Sequence, residues 1–409
     1  IEDKSFSYKE IDAMACRVAN GLKASGVRPG DRVTLYSANC WEWAVSYHAI
    51  AKIGAVINPI NVMLTSDEVK YVVEDSGTTA VLGSADKAES LLDLKGNNEL
   101  KEVVLFGDTV PTGATSFEEW LKSGTDTFEV AHRNREDLAA ICYTSGTTGH
   151  PKGAMHSHHN ILANAQGTAM MHVRTESDVM VNSLPLPHVY GSVVFNSGFM
   201  YGAKLVIVPR FEEEAVMSAI QQHRATILDG VPTAYYFLLA HPKFDDYDLS
   251  TLTRSTVGGQ TLPAAKSIEW EERVGTAVLE LWGMTELAGA ATANPYYGDN
   301  KPGTIGLVYP GNEGKIVSAE DPTLDLKIGD EGEFMFRGPL VMLGYYGNDE
   351  ATRDAMAAGG WMHTGDIATQ DEDGYFTIVD RKKDMILTAG YNVYPAELER
   401  VICGHPSVA

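Results

Sequence analysis

A run of eleven residues from Tyr143 to Gly153, YTSGTTGHPKG, holds four serine or threonine side chains, three glycines and one lysine. Glycine lets backbone N–H groups converge on a ligand, and hydroxyl groups and a lysine ammonium add further donors for phosphate oxygens. The apolar run before it, LAAICY, indicates a buried strand, and the run after it indicates a helix that begins at Ser157 or Asn160. We therefore predict a phosphate-binding, glycine-rich loop between a strand and a helix.

Two other phosphate-binding patterns do not fit this stretch. A Walker A loop ends in Gly-Lys followed by Ser or Thr, whereas Lys152 here precedes Gly153. The dinucleotide pattern GxGxxG is absent from the stretch as well. A P-loop NTPase is therefore disfavoured, and so many hydroxyl and glycine residues in one loop disfavour a plain surface turn.

Composition bounds the class of protein. The 409 residues are 44% apolar, enough for a large core shared by two or more structural units. The formal net charge of −23 argues against a general nucleic-acid binder, which needs a basic face, so we expect no nucleic-acid partner. The most apolar long run, SVVFNSGFMYGAKLVIV, is interrupted by Asn196 and Lys204 and is too short for a transmembrane segment.

Cysteine usage favours a reducing compartment. The four cysteines contain no CxxC pair, so neither a zinc ribbon nor a disulfide framework is indicated. The first residues show no signal-peptide pattern, and we expect a cytoplasmic protein. The histidines His156, His158 and His159 match no usual zinc spacing, and the start of a helix explains them sufficiently.

Helix and strand patterns alternate to about residue 290, which predicts an α/β architecture of two layered β/α subdomains with largely parallel sheets. Thr65 and Glu68 form a capping-box pattern at the start of one of these helices. From about 300 to 380 short strands and Gly, Pro and Asp turns predict a small distorted β-barrel or antiparallel sheet.

Short motifs along nearly the whole chain resemble, in the same order, those of the adenylate-forming (AMP-binding) superfamily, in its acyl-CoA synthetase or fatty-acid–CoA ligase branch. They are YTSGTTGHPKG, PLPHVYG, VGGQTLP, LWGMTE, WMHTGD and VDRKKDMILTAGYNVYPAELE. The resemblance implies an N-terminal domain over 1–380, then a hinge and the start of a small C-terminal α+β domain over 381–409. It also implies ATP, Mg²⁺ and coenzyme A, with a carboxylic acid converted first to an acyl-adenylate and then to a thioester.

The resemblance also assigns roles around the phosphates. Lys152 and the loop hold the β- and γ-phosphates, Thr285 bonds the α-phosphate and Glu286 binds Mg²⁺. Such roles suit a transfer that depends on positioning and charge neutralisation more than on covalent help. The loop residues concerned are Thr144, Ser145, Gly146, Thr147, Thr148 and Gly149.

For the nucleoside, the resemblance implies that Trp282 stacks on adenine, where the family usually has tyrosine. Asp366 accepts from the ribose hydroxyls and Arg381 reinforces it. Simple burial in the core is the other interpretation of Trp282, and the two are compatible. The other residues expected beside the nucleotide are Gly258, Gly259, Gln260, Gly283 and Met284.

The carboxylic acid is expected against an apolar pocket. His188 lies where the family gates this pocket, and we favour a gate over a base because a carboxylate has no proton to lose at neutral pH. Apolar Val189 disfavours an amino acid, whose ammonium group would stay unpaired. Small residues leave depth for a medium- or long-chain fatty acid; an aryl acid is the alternative. The pocket residues are Val189, Tyr190, Val231, Pro232, Ala288 and Gly289.

Further interpretations stay open. Lys383 lies where the family has its interdomain hinge, although a charged turn explains it as well. The family's lysine at the reacting carboxylate belongs beyond residue 409, so a protein ending there is expected to adenylate slowly. A non-catalytic ATP-binding relative is disfavoured by the intact Lys152, Thr285, Glu286 and Asp366. Luciferase-type oxygenation is not separable by sequence, and a homodimer is a further expectation.

Overall fold

The computed structural model describes residues 4–95, 99–107, 109–144, 150–384, 386–388, 391–393, 395 and 402. Its helices are α1 (Tyr8–Ala24), α2 (Trp41–Lys52), α3 (Ser66–Asp75), α4 (Ala88–Leu92), α5 (Phe117–Ser123), α6 (His158–His172), α7 (Val189–Tyr201), α8 (Glu213–His223), α9 (Pro232–Ala240), α10 (Ala264–Val274) and α11 (Asp349–Ala355). Short 3₁₀ turns lie at Ala85–Lys87, Phe244–Asp246, Thr285–Leu287 and Ala358–Gly360.

The strands are short, as in many layered α/β folds. They are β1 (Arg32–Tyr36), β2 (Val56–Pro59), β3 (Thr78–Ser84), β4 (Glu102–Phe106), β5 (Thr115–Ser116), β6 (Leu138–Thr144), β7 (Lys152–Ser157), β8 (Val179–Asn182), β9 (Lys204–Ile207), β10 (Ile227–Gly230), β11 (Arg254–Val257), β12 (Val278–Met284), β13 (Gly289–Ala293), β14 (Leu307–Val308), β15 (Glu313–Val317), β16 (Gly332–Arg337), β17 (Gly344–Tyr345), β18 (Met362–Gln370), β19 (Phe376–Arg381), β20 (Ile386–Thr388) and β21 (Tyr391–Val393).

Two largely parallel sheets form most of the fold, which confirms the predicted α/β architecture. The first has the order β17-β7-β6-β2-β1-β3-β4-β5, and the second has the order β14-β13-β12-β11-β10-β8-β9. Antiparallel pairing is confined to one end of each sheet, at β6, β7 and β17 in the first and at β12, β13 and β14 in the second. The first of these ends carries Thr144 and Lys152, and the second carries the predicted site residues between 282 and 289.

Local sequence accounts for the helices that cover the first sheet. The hydroxyl groups of Ser7 and Thr65 cap α1 and α3, and Glu10 and Glu68 complete a capping box at each, as the sequence predicts for α3. Residues at helical spacing along α1 are buried against the core. In the described residues, no helix combines the length and the apolar character that crossing a bilayer requires.

For residues 300–380 the sequence left a small distorted β-barrel and an antiparallel sheet open, and the structure has the sheet. Residues 313–381 form an antiparallel sheet of four strands in the order β15-β16-β18-β19, and its edge strands do not pair with each other in the part of the chain that the structure describes. The outer edge of β19 is occupied by another segment, because Phe376 exchanges backbone hydrogen bonds with Ile305 and Gly306. Strand β15 therefore does not pair with this edge, and the sheet does not close into a barrel. A short hairpin of β20 and β21 follows it.

The prediction that the glycine-rich loop joins a strand to a helix is wrong. Strand β7 lies between the loop and α6, and it pairs antiparallel with β6. The sequence KGAMHS shows little strand preference by itself, so its conformation comes from pairing with β6 and β17 on either side. A Cβ at Gly153 would lie 2.6 Å from Ile141 Cγ2, so only glycine fits there without displacing β6.

Candidate active site

The loop between β12 and β13 carries Thr285 and Glu286. A 3₁₀ turn at Thr285–Leu287 reverses the chain, and Ala288 completes the reversal with φ 55°. Two close approaches fix its ends: a Cβ at Gly283 would lie 2.0 Å from the carbonyl oxygen of Gly289, and one at Gly289 would lie 2.4 Å from Val193 Cγ2. The tight hairpin therefore holds Thr285 and Glu286 at a fixed place at the end of the second sheet.

Buried side chains of the first sheet and of α6 hold this loop by hydrogen bonds to its backbone carbonyl oxygens. His156 Nε2 donates to the carbonyl oxygen of Thr285 at 2.7 Å, and burial lowers the pKa of this imidazole to about 4, so it is neutral at physiological pH. Asn164 donates to the carbonyl oxygens of Leu287 and Ala290 at 2.9 and 2.8 Å. Sequence reasoning missed both supports.

Helix α6 also holds the segment over residues 339–342 next to this loop. Asn160, one turn before Asn164, donates from Nδ2 to the carbonyl oxygens of Pro339 and Val341. The next residue, Met342, donates its backbone N–H to the carbonyl oxygen of Glu286 at 2.9 Å. The asparagine spacing of four residues on a helix was the one available signal for these contacts, because it places both amides on the same face.

Lys152 and Glu286 meet a residue that the sequence did not single out. Tyr345 donates its hydroxyl to Glu286 Oε1 at 2.6 Å, and Lys152 Nζ lies 4.8 Å from the centre of the Tyr345 ring. The hydrogen bond and the cation–π contact bring together residues from three separate parts of the sequence. Glu286 and Lys152 are each only half-buried, so both remain accessible to a ligand.

Trp282, Asp366 and Arg381 are also brought together. The indole Nε1 of Trp282 donates to Asp366 Oδ2 at 2.8 Å, and Arg381 Nε lies 3.8 Å from Asp366 Oδ1. Burial raises the pKa of the Asp366 carboxyl, and the Trp282 hydrogen bond and the Arg381 charge oppose that rise. The indole therefore has a polar partner as well as its packing against Phe334, with ring centres 5.1 Å apart.

The predicted adenine-side residues follow β11. Gly258 is buried, and a Cβ there would lie 2.3 Å from Leu281 Cδ1; Gly259 adopts φ 93°, a conformation that favours glycine. Gln260 is exposed at the end of the turn. Gly283 and Met284, at the end of β12, lie on the neighbouring strand of the same sheet.

The predicted pocket residues divide between two hydrophobic clusters. Val189 packs into the cluster against the first sheet, and Tyr190 packs into the cluster that also takes Val231, Trp282 and Met284. Successive residues of a helix point about 100° apart, which explains the division. Pro232 is buried at the first position of α9.

His188 caps the N-terminus of α7. Its Nδ1 accepts from the backbone N–H of Tyr190 at 3.2 Å, so the ring carries its proton on Nε2. Although the residue is partly exposed, desolvation by the surrounding protein lowers the pKa of the imidazole. With its acceptor nitrogen already bonded to Tyr190, the imidazole is poorly placed to act as a base, and its role as a gate stays a prediction.

A buried polar network, absent from the sequence prediction, holds Tyr190. Its hydroxyl lies 2.8 Å from Thr256 Oγ1, and Thr256 in turn donates to Asp229 Oδ1 at 2.7 Å. Arg174 forms an ion pair with the same carboxylate oxygen at 2.6 Å, and both side chains are fully buried. A fully buried charge is strongly destabilising without its counter-ion, so Arg174 and Asp229 stay paired. Through Thr256, this fixed pair orients the Tyr190 ring.

One small cavity lies beside the loop between β12 and β13, which is called the catalytic loop below after the roles expected of Thr285 and Glu286. It has a volume of about 20 Å³, enough for one water molecule, and no Asp, Glu, Lys or Arg contributes to its lining. Val189, Val193 and Ala288 provide apolar lining close to Thr285. The remaining lining residues are Tyr47, Pro59, Ala140, Cys142, His156, Ile161, Ser192 and Asn196.

Some predicted residues lie outside the described part of the chain. Ser145, Gly146, Thr147, Thr148 and Gly149 fall there, while Thr144 ends β6 immediately before them. Lys383 lies in an exposed turn after β19. Among the described residues, no three or more His, Cys, Asp or Glu side chains cluster as metal ligands.

Comparisons with known proteins show the family of this chain. The profile of the AMP-binding enzyme family matches residues 1–346. A long-chain-fatty-acid–CoA ligase of Bacillus subtilis (strain 168) is 31% identical, over 99% of this chain and 77% of that enzyme. A feruloyl-CoA synthase of Amycolatopsis sp is 34% identical, over 99% of this chain and 79% of that enzyme.

A solved structure extends the likeness to the fold. The crystal structure of ATP-bound MatB from Rhodopseudomonas palustris superposes with a TM-score of 0.91 at 34% sequence identity, over 99% of this chain and 79% of that one. With a family profile over most of its length and relatives at 31% and 34% identity over nearly all of it, the chain belongs to the AMP-binding enzyme family, as an AMP-forming acid–thiol ligase that uses ATP, Mg²⁺ and coenzyme A.

Proposed function

We propose that this ligase activates a medium- or long-chain fatty acid. Its reaction joins a carboxylic acid to coenzyme A: ATP first converts the acid to an acyl-adenylate with release of pyrophosphate, and the thiol then takes the acyl group. The cavity beside the catalytic loop is the observation that supports a fatty acid. Because no charged side chain lines it, an acid with a second charged group would leave that group unpaired on binding.

The cavity must widen before it can take an alkyl tail. At about 20 Å³ it holds one water molecule, so a tail would displace side chains along α7, chiefly Val193 and Asn196. A flexible chain can enter in steps as rotamers change, whereas a rigid aromatic ring needs its whole width at once. An aryl acid remains the second candidate, favoured by the likeness to a feruloyl-CoA synthase.

The proposed roles of the site residues follow from their positions. Lys152 would neutralise the β- and γ-phosphates, Thr285 would donate to the α-phosphate and Glu286 would bind Mg²⁺. A site with one carboxylate suits this ion, which keeps several waters and phosphate oxygens as ligands. Bound Mg²⁺ would offset the phosphate charge while the acid attacks. His188 would gate the acid.

The nucleoside roles also remain proposals. Asp366 would accept from the ribose hydroxyls with Arg381 beside it, and Trp282 would face adenine. The hydrogen bond from Trp282 to Asp366 supports a shared site for base and ribose, because it fixes the ring relative to the carboxylate. The phosphate-loop roles of residues 144–149 stay predictions.

Several broader expectations likewise remain proposals. These are the division into a domain over 1–380 and a hinge region from 381, with Lys383 as its pivot, a cytoplasmic location and a homodimer. The described cysteines Cys16, Cys40 and Cys142 are free, which supports a reducing compartment.

Pyrophosphate release with a panel of acids tests the proposed substrate. The panel holds saturated fatty acids of increasing length, benzoate and ferulate, each with ATP, Mg²⁺ and coenzyme A. Release that rises with chain length supports the fatty acid, and release with aryl acids alone moves the enzyme to the aryl candidate. Measurable ATP binding without release from any acid would support a non-catalytic relative.

Variants of α7 test the cavity itself. Val193→Ala enlarges the cavity and Val193→Phe fills it, so the preferred chain should lengthen in the first and shorten in the second. Val194→Ala is the matched control, because this neighbouring valine does not line the cavity and packs instead in the cluster that contains Tyr190. An identical chain-length profile in both Val193 variants would remove the cavity as the site of the acid's tail.

A further inference from the structure

Tyr345 reaches the catalytic loop through strand pairing that no short motif specifies. Strand β17 pairs antiparallel with β7, which puts Tyr345 opposite Ala154, two residues along from Lys152. Its backbone N–H donates to Thr352 Oγ1 at 2.9 Å, which fixes the strand from its other side. Only 8% of Tyr345 is exposed, so its side chain has little freedom to turn away.

Two groups of opposite charge contact this one side chain. Glu286 Oε1 accepts the phenolic hydrogen bond at 2.6 Å, and Lys152 Nζ lies 4.8 Å from the ring centre. A carboxylate oxygen can only accept, so the tyrosine hydroxyl is the donor in this bond. The carboxylate is bonded at the hydroxyl and the ammonium contacts the ring.

Without the ring, electrostatic attraction would favour a direct ion pair between Lys152 and Glu286. Opposite unit charges at contact distance in a partly buried site attract more strongly than an ammonium and an aromatic face. In the described residues, however, Lys152 forms no ion pair with any carboxylate. A direct pair would occupy both groups that are proposed to meet the ligand, the ammonium for phosphate and the carboxylate for Mg²⁺.

We propose that Tyr345 is a positioning residue that keeps Glu286 and Lys152 apart and oriented, so that the carboxylate stays available to Mg²⁺ and the ammonium to phosphate. The inference rests on the proposed roles of these two residues. The hydroxyl orients the carboxylate by bonding Oε1 and not Oε2, while the ring separates the charges. These two contributions can be removed one at a time.

Binding of ATP measured by titration calorimetry over a series of Mg²⁺ concentrations, without acid or coenzyme A, tests the first contribution. Tyr345→Phe removes only the hydroxyl, and the Mg²⁺ concentration needed for half-maximal ATP binding should rise roughly tenfold, as is typical when a partner of a metal ligand is lost. Tyr346→Phe is the matched control and should leave the Mg²⁺ dependence unchanged. A wild-type Mg²⁺ dependence in Tyr345→Phe would overturn the role of the hydroxyl.

Carbodiimide cross-linking tests the second contribution, because the reagent joins an amine to a carboxylate only when the two are in contact. In Tyr345→Leu, which removes the ring, we expect a Lys152–Glu286 cross-link in peptide mass spectra and ATP binding weakened about tenfold. Wild type and Tyr345→Phe should give no such cross-link. Its absence in Tyr345→Leu, with the melting temperature showing a folded variant, would overturn the role of the ring.

The two proposals fail in different ways. Wild-type protein that binds MgATP but releases no pyrophosphate with any acid contradicts the proposed ligase substrate and leaves the positioning role standing. Wild-type protein that is active, with both Tyr345 variants unchanged in Mg²⁺ dependence, ATP affinity and cross-linking, contradicts the positioning role alone.

Discussion

Trp282 and Asp366, 84 positions apart in the sequence, are joined by a hydrogen bond of 2.8 Å from the indole N–H to the carboxylate. This contact couples the aromatic residue proposed at adenine to the acid proposed at ribose. Because burial raises the pKa of Asp366 and the indole opposes that rise, the tryptophan helps to keep the carboxylate ionised.

Replacing Trp282 by phenylalanine should weaken ATP binding, and more so at low pH. The variant keeps an aromatic face but loses the donor, so the Asp366 pKa rises further above its ordinary value. Since the ionised carboxylate is the form proposed to accept the ribose hydroxyls, the loss of binding as pH falls should begin at a higher pH than in wild type. At neutral pH we expect an affinity lower by about tenfold, measured by calorimetry. Trp361→Phe is the control, and an unchanged pH profile in Trp282→Phe would contradict the coupling.

His156 should matter for catalysis through the loop that it supports, in addition to lining the cavity proposed for the acid's tail. His156→Phe leaves the carbonyl oxygen of Thr285 without its buried donor, so the loop that carries Thr285 and Glu286 loses a support. We expect kcat for pyrophosphate release to fall by roughly tenfold or more, the usual effect of an unpaired buried polar group. His158→Phe, on the first residue of α6, is the comparison; equal losses in the two variants would argue against a specific support.

Glu280 should make stability depend on pH. Burial raises the pKa of its carboxyl to about 7, against about 4.5 in the unfolded chain. The folded protein therefore binds the proton more tightly, and the stabilisation is fully present below pH of about 4.5 and is lost as the pH rises through about 7. The difference in free energy of unfolding across this window is roughly 3 kcal/mol.

Comparison with Glu280→Gln isolates the contribution of this carboxyl from those of all other titrating groups. The amide cannot ionise, so the variant should gain stability relative to wild type as the pH increases from about 5 to about 8, followed by thermal melting. Glu271→Gln, at an exposed position of α10, should show no such trend. Parallel melting curves for wild type and Glu280→Gln across that range would contradict the raised pKa.

Contiguous stretches of sequence were enough to predict most of the fold and the family of this protein. Capping boxes, apolar periodicity and alternating elements predicted the layered α/β fold, because these features depend on residues within a few positions of one another. The ordered motifs identified the family for the same reason, since each is a short contiguous stretch, and a close approach such as that at Gly283 limits which residue fits. The resemblance also placed Asp366 and Arg381 beside each other, as the structure shows.

Tertiary structure alone decided which residues support and connect those motifs. Strand β7 exists because β6 and β17 pair with it, and that pairing also brings Tyr345 to Lys152 and Glu286. His156 was considered as one of three neighbouring histidines, yet its partner is the carbonyl oxygen of Thr285, 129 positions away. The outer edge of β19 is likewise covered by backbone at Ile305 and Gly306, about 70 positions earlier in the chain. Such contacts depend on where whole elements pack, so no local pattern in the sequence records them.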